Sequence, residues 1–199
     1  MAELCIKGTA FLLARRDLLA LVEAGRVTRA ALERRLDPAD LVHLDAAPLV
    51  TSWYPVAVYD RMLRVLLDLE GGNDAQYLVD RARKGMEALM RGGIYKQLER
   101  AEAAVRESAR DWFERSGHIL ATLPSAFFNL GAWRLSRDAS RGVFTLEGSG
   151  VDLPPCVLRI VQGAVEYVAE QLTERQVSVV PYSVGPGRVR FVGTEARRA

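Results

Sequence analysis

The sequence predicts an α+β fold: a mainly helical N-terminal two-thirds packed on a four-stranded antiparallel sheet, itself two hairpins joined by a helix. Three observations carry this. Apolar residues recur at three- and four-residue spacing through much of residues 1–131. The period shortens to two in residues 132–147 and again in 177–192. Between these stretches lies a strong helical stripe of Val157, Ile160, Val161, Ala164, Val165, Val168 and Leu172. The closing ββ-α-ββ order leaves an apolar sheet face that needs a second layer, supplied by that helix and the preceding ones.

The elements follow in order. Leu4 to Ile6 reads as a short strand or an extended lead-in. A helix then carries Phe11, Leu12, Leu18, Leu19 and Val22, with Gly25 as its stop. Thr28 caps a short helix to Leu36. Asp37-Pro38 places an N-cap before a proline at the first helical position, opening a further turn or two to Leu44. Trp53-Tyr54-Pro55 introduces a helix over 55–69 that is apolar on several faces, as central helices are. Gly71-Gly72 ends it. Asn73 or Asp74 caps the next helix, to about Met90, with Leu78, Ala82, Met86 and Leu89 inward and Arg81, Arg83, Lys84 and Glu87 on another face.

Ile94, Leu98, Ala101, Val105, Ala109 and Trp112 give the longest stripe, over 94–116, with Glu102/Arg106 and Arg110/Glu114 as i,i+4 pairs and Gly117 as its stop. Residues 118–130 read as a helix interrupted at Pro124. Trp133 and Leu135, then Phe144 and Leu146, face inward across the turn 138–142. The helix after Pro154-Pro155 runs to about Leu172. The second hairpin pairs 177–184 with 188–192 through Gly185-Pro186-Gly187, with Val189 and Phe191 inward and Arg188 and Arg190 outward.

A chain of 199 residues suits a single domain spanning 1–199, in which 1–131 is mainly helical and 132–193 forms the ββ-α-ββ part. Its 49% hydrophobic and 26% charged residues are ordinary for a globular protein. A net charge of +2 is too small to argue for nucleic acid. No apolar run reaches the ~18 residues of a membrane span. The opening Met-Ala-Glu-Leu-Cys-Ile-Lys has no signal-peptide pattern, so the expected location is the cytoplasm, with Cys5 and Cys156 as free thiols.

The motifs of catalysis are missing. The two histidines, His43 and His118, fall in no metal-binding spacing. Ser125 sits in Leu-Pro-Ser-Ala-Phe, not in a nucleophile elbow. Gly148-Ser149-Gly150 and Gly185-Pro186-Gly187 lack the lysine and the spacing of phosphate-binding loops. Glu166/Glu170 reads as a solvated helix face rather than an acid–base pair. The chain is therefore expected not to be an enzyme, and no cofactor or metal is assigned.

Two groups of residues remain as candidates. Trp53, Tyr59, Trp112, Phe127, Phe128 and Trp133 lie near element ends and are candidates to line an apolar pocket; their ordinary reading is core packing. Gly163 joins them because a glycine inside a strong helix marks a close approach by a backbone, a side chain or a ligand. Arg134, Arg188 and Arg190 are expected to share the outer sheet face and to meet an acidic partner, against the ordinary reading of charges that keep a sheet soluble.

Trp53-Tyr54-Pro55 before a helix, Leu-Arg-Ile-Val-Gln-Gly-Ala-Val-Glu-Tyr over 158–167, and the closing Val189-Arg190-Phe191-Val192 strand carry a resemblance. The layout resembles a superfamily of three branches: vinyl-reductase-type sensor domains, haem-NO-binding domains and small subunits of the TRAPP tethering complex. More narrowly it is similar to a bacterial family of paralogues numerous in myxobacteria. The resemblance implies a helix-covered, twisted sheet, often dimeric, that serves as a small-molecule sensor or an assembly module. The chain also departs from these branches. The haem branch uses a proximal histidine and a Tyr-x-Ser-x-Arg motif, whereas Tyr182-Ser183-Val184 breaks that pattern. Zinc-binding cysteine sets are missing, and the acylated cysteine of the TRAPP branch cannot be placed on Cys5 or Cys156. The expected function is a non-enzymatic sensory or small-molecule-binding domain with an apolar pocket; the alternative is a protein–protein assembly module, homodimer or adaptor, with no ligand.

Overall fold

Strand pairing, helix packing and one continuous apolar cluster arrange the chain around a single face of a sheet. The computed structural model describes residues 3–91 and 112–196, without the side chains of Trp112, Arg115 and Ser116. The stripe at 94–109 and its pairs therefore lie outside the described residues.

The first strand, β1 (Cys5–Lys7), pairs antiparallel with β2 (Trp53–Pro55), a two-stranded sheet that three-residue segments do not announce by alternation. The helices of the N-terminal part are α1 (Gly8–Glu23), α2 (Arg29–Glu33), α3 (Leu41–Asp45), α4 (Val56–Leu69) and α5 (Gln76–Arg91). Thr28 caps α2 by accepting the Ala31 N–H. Asp37 gives no side-chain cap; a 3₁₀ turn over Pro38–Asp40 follows it instead. Pro55 is the residue before α4, not its first turn. Asp74 caps α5 by accepting the Gln76 N–H at 2.9 Å. The expectation that α4 is central holds: Val56, Val58, Tyr59, Met62, Leu63, Val65 and Leu66 are all buried.

Helix α6 (Trp112–Phe127) corrects the expected break at Gly117. A Cβ on Gly117 would lie 3.3 Å from both Leu135 and the Phe113 ring, so the helix keeps a small residue where it crosses the sheet. Tertiary packing overrides the ~1 kcal/mol helix cost of glycine. The helix also contains Pro124 and ends one turn later, where Phe128 donates to the Pro124 carbonyl at 2.8 Å.

The four-stranded sheet is β3 (Ala132–Asp138), β4 (Val143–Ser149), β6 (Arg188–Glu195) and β5 (Val177–Gly185), in that antiparallel order. Helix α7 (Pro155–Thr173) joins the hairpins. Leu135, Leu146 and Phe191 stand opposite one another across three strands and form the centre of the inner face. Two glycines make room for aromatic rings there: Phe144 lies over Gly193 and Trp133 over Gly148, where an added Cβ would meet ring atoms at 2.1 Å and 2.7 Å. The sheet's inner face meets α7 and α6, and α5 packs on the far side of α7. Among the described residues, no helix is long and apolar enough to cross a membrane.

Two charge readings change. Glu166 is buried, not solvated: it accepts the Gln162 amide at 3.1 Å and the Val179 N–H at 3.0 Å, tying α7 to β5. Arg83 lies at the α5–α7 junction, 3.5 Å from Glu166 and bonded to Glu170.

Candidate functional site

The gaps between α1, α5, α6 and α7 form a cavity of about 510 Å³, open to solvent on one side and within the ~300–1,000 Å³ range of small-molecule sites. Its walls follow from helical spacing. Ala10, Leu13 and Asp17 point from one side of α1, and Tyr77, Arg81 and Gly85 from one side of α5. Ile160, Val161, Ala164 and Val165 come from α7, and Leu123 and Phe127 from α6. Phe128 follows α6 and is fixed by its neighbour: the Asn129 amide carbonyl accepts the Cys5 N–H at 2.7 Å and its NH₂ donates to the Glu3 carbonyl at 3.0 Å. This clasp holds the aromatic end of α6 against β1.

The opposite end of the cavity is polar. Arg81 of α5 pairs with Asp17 of α1, their side chains only 15% and 26% exposed. The Tyr77 hydroxyl donates to Glu70 at 2.7 Å, and Arg26 holds the other oxygen of Glu70 at 2.6 Å. Tyr59 reaches the same region from α4 and is 4% exposed. Burial pushes its phenol up to about 12, against the pull of Arg81. Tyr77 also rises to about 12, through burial first and then its bond to Glu70. Both phenols therefore remain hydrogen-bond donors at neutral pH.

Of the aromatic residues singled out by sequence, Tyr59, Phe127 and Phe128 meet in this cavity. Trp53 lies elsewhere, 41% exposed, with the Lys7 ammonium 4.3 Å from its ring centre. Trp133 packs between Phe128 and Phe191 in the sheet core, at 6.4 and 6.5 Å between ring centres. The Trp112 side chain lies outside the described residues. Gly163 stands beside the wall without joining it: an added Cβ would lie 2.3 Å from the Val79 carbonyl oxygen, so this is where α7 and α5 touch. Sequence reasoning missed the polar end. Its signal was present in Asp17 and Arg81, each three positions after an inward residue, Ala14 and Leu78, and therefore beside the apolar stripe rather than opposite it.

On the outer sheet face a second concavity of about 400 Å³ gathers Arg134, Arg188 and Arg190 with Glu147 and Ser149. Arg134, Glu147, Arg190 and Tyr182 are cross-strand neighbours in one row, and Arg190 bonds Glu147 at 2.6 Å.

A haem iron needs a ligand from the chain, usually an imidazole or a thiolate. Neither histidine reaches the cavity. His43 packs between Phe11 and Tyr54, with ring centres at 5.5 and 5.7 Å, and His118 is exposed on α6. Cys5 and Cys156 do not line it either. Burial raises both thiols, Cys156 to about 11, which disfavours the ligating thiolate. The described lining offers three other side chains of haem-ligand type, Tyr59, Tyr77 and Met86, but both phenols are held protonated and a methionine ordinarily ligates beside a histidine. This donor set does not fit haem iron, and no grouping of three His, Cys, Asp or Glu side chains placed to hold a metal occurs among the described residues.

No family model matches the chain, and no curated protein matches it. Solved structures do. The Fe(II) unliganded H-NOX protein from K. algicida aligns with a TM-score of 0.52 at 12% identity, covering 94% of this chain and 97% of that one. A single-residue variant of the same protein gives 0.52 at 13%, covering 96% and 97%. A single-residue variant of Tt H-NOX gives 0.52 at 12%, covering 97% and 96%. At these identities the likeness is one of fold: over nearly its whole length, the chain is built like an H-NOX domain.

Proposed function

We propose that this chain is a non-enzymatic sensory domain that binds an apolar small molecule in the cavity between α1, α5, α6 and α7. One observation carries the reading: about 510 Å³ of space lined by Ala10, Leu13, Met86, Phe127, Ile160 and Ala164, closed by polar groups at one end. Apolar lining that would otherwise face water favours an apolar molecule that covers it. The H-NOX fold supports the reading, as that fold also houses a small-molecule sensor. The fluorescent hydrocarbon amine N-phenyl-1-naphthylamine tests it. It should bind saturably, one per chain, and Ala164→Trp, which fills the cavity, should remove that binding while the protein stays folded. Equal binding by the variant would place the probe elsewhere and refute the proposal.

A second reading, assembly through a second copy of the chain, draws on Val180, Tyr182 and Val184. These residues stand 45–50% exposed in a row on the edge strand β5. Sedimentation equilibrium tests it: a dimer weakened by Tyr182→Glu supports assembly, and a strict monomer excludes it.

A further inference from the structure

We propose that the outer face of the four-stranded sheet docks an acidic segment of a partner protein, one that carries carboxylates beside an apolar side chain. This goes beyond the proposed function and does not depend on the cavity between the helices. The surface is the concavity of about 400 Å³ on that face. Strand β4 runs between β3 and β6. Arg134 of β3 therefore stands on one side of it, and Arg188 and Arg190 of β6 on the other. Strand spacing puts the two sides about 10 Å apart, with Arg188 and Arg190 about 7 Å apart along β6. That spread suits several carboxylates on an extended chain, whose alternate residues also repeat at about 7 Å. It is too wide for one small anion.

Charge identifies the occupant. Glu147 is the one carboxylate in the described lining, and Arg190 already holds it at 2.6 Å. Nearby, Asp152 accepts the Gly187 N–H at 2.8 Å. Arg134 and Arg188 are exposed and have no carboxylate partner among the described residues. All three cations are guanidiniums, whose planar fork matches a carboxylate. Val184 closes the concavity on the β5 side, and Tyr182 is the cross-strand neighbour of Arg190; both are exposed and supply the apolar ground. Position argues against charges that merely protect an edge. Arg188 and Arg190 lie on β6, which is paired on both sides. The edge of β5 is blunted by other means: Glu170 accepts the Val177 N–H at 3.3 Å, Glu166 accepts the Val179 N–H at 3.0 Å, and Pro181 has none to offer. A second copy laid face to face on this trough would set arginine against arginine. A nucleic acid would meet Glu147 in the middle of the row and, among the described residues of this face, only Tyr182 for stacking.

The test is fluorescence anisotropy on the full chain with three labelled probes. They are the peptide Glu-Asp-Glu-Phe-Glu-Asp-Glu-Phe-Glu, its neutral counterpart with Gln and Asn in place of Glu and Asp, and a nine-nucleotide oligouridylate. The acidic peptide should bind saturably, at least tenfold more tightly than the other two, and should weaken as salt rises from about 50 to about 300 mM. Arg134→Glu and Arg188→Glu should each weaken it by about fivefold or more. Arg34→Glu, which reverses an exposed charge at the end of α2, should leave it within about twofold. The milder Arg134→Gln and Arg188→Gln should lose affinity in the same direction, so the reading survives a charge reversal that fails to fold. Several results would overturn the proposal: equal binding of the neutral peptide, tighter binding of the oligouridylate, or a loss in Arg34→Glu that matches Arg188→Glu. No saturable binding of the acidic peptide overturns it too, whether the face stays bare or a second copy covers it.

Discussion

Asp60 of α4 caps the start of α7: one of its carboxylate oxygens accepts the N–H of Cys156, 96 residues further on, at 3.0 Å. Helix α7 starts after Pro154, which offers no side-chain acceptor. Its first turn would otherwise leave a buried N–H unpaired. A carboxylate at this point also meets the positive end of the helix dipole. The second Asp60 oxygen is held by Arg64 at 3.0 Å. Asp60→Ala should lower stability by about 1.5–3 kcal/mol, the range for hydrogen bonds to charged groups. Asp60→Asn keeps an acceptor and should lose less. Urea unfolding of both variants checks the order.

The contact between α5 and α7 depends on one missing side chain. Gly163→Ala would press a methyl to 2.3 Å from the Val79 carbonyl oxygen, a backbone atom that can yield only if α5 moves. The helix-propensity gain of about 1 kcal/mol is outweighed by overpacking of about 1–3 kcal/mol or more. A lowered melting temperature is expected. A higher one would mean that the two helices are farther apart than described.

Glu166 joins Gln162, Arg83 and the Val179 N–H inside the α7–β5 junction. Glu166→Ala leaves that N–H and the amide unmatched, at about 1–3 kcal/mol for each buried group. Hydrogen exchange at Val179 should accelerate more than exchange at Leu146, at the centre of the sheet.

Alkali should weaken the fold in a defined window. Tyr59 and Tyr77 ionise near 12 when folded and near ~10 when unfolded. The folded protein therefore holds more protons between those values, and stability falls as pH rises through them. Below about 10 the contribution is complete. Absorbance at 295 nm should show Tyr59 and Tyr77 titrating late, and Tyr59→Phe should reduce that late change by one tyrosine. The Cys156 thiol, pushed up to about 11 mainly by burial, should react slowly with iodoacetamide at pH 8 and faster as pH approaches its own value.

The closing ββ-α-ββ unit was legible because each signal there is periodic. Val189 and Phe191 alternate with Arg188 and Arg190, and the structure places the arginines together on the outer face. What misled were single-residue signals. Gly117 reads locally as a stop, yet its smallness serves the contact with Leu135, which lies 18 positions away in sequence. Glu166 reads as solvated because nothing nearby in sequence announces the Val179 N–H that buries it. The site was legible in part. Tyr59, Phe127 and Phe128 meet in the cavity, whereas Trp133 and Gly163 serve packing, because aromatic and small residues fill cores and line pockets alike. The Arg81–Asp17 pair joins residues 64 apart and appears only once α1 and α5 are side by side.

The central claim is that the space between α1, α5, α6 and α7 is a ligand cavity. A crystal of the full chain, pressurised with xenon, tests it most directly, since xenon enters apolar cavities without needing a polar partner. The account predicts a xenon peak among Leu13, Met86, Phe127 and Ala164, or density for a molecule carried from the expressing cells. An interior filled by the protein's own side chains, with no xenon at that position, would contradict it.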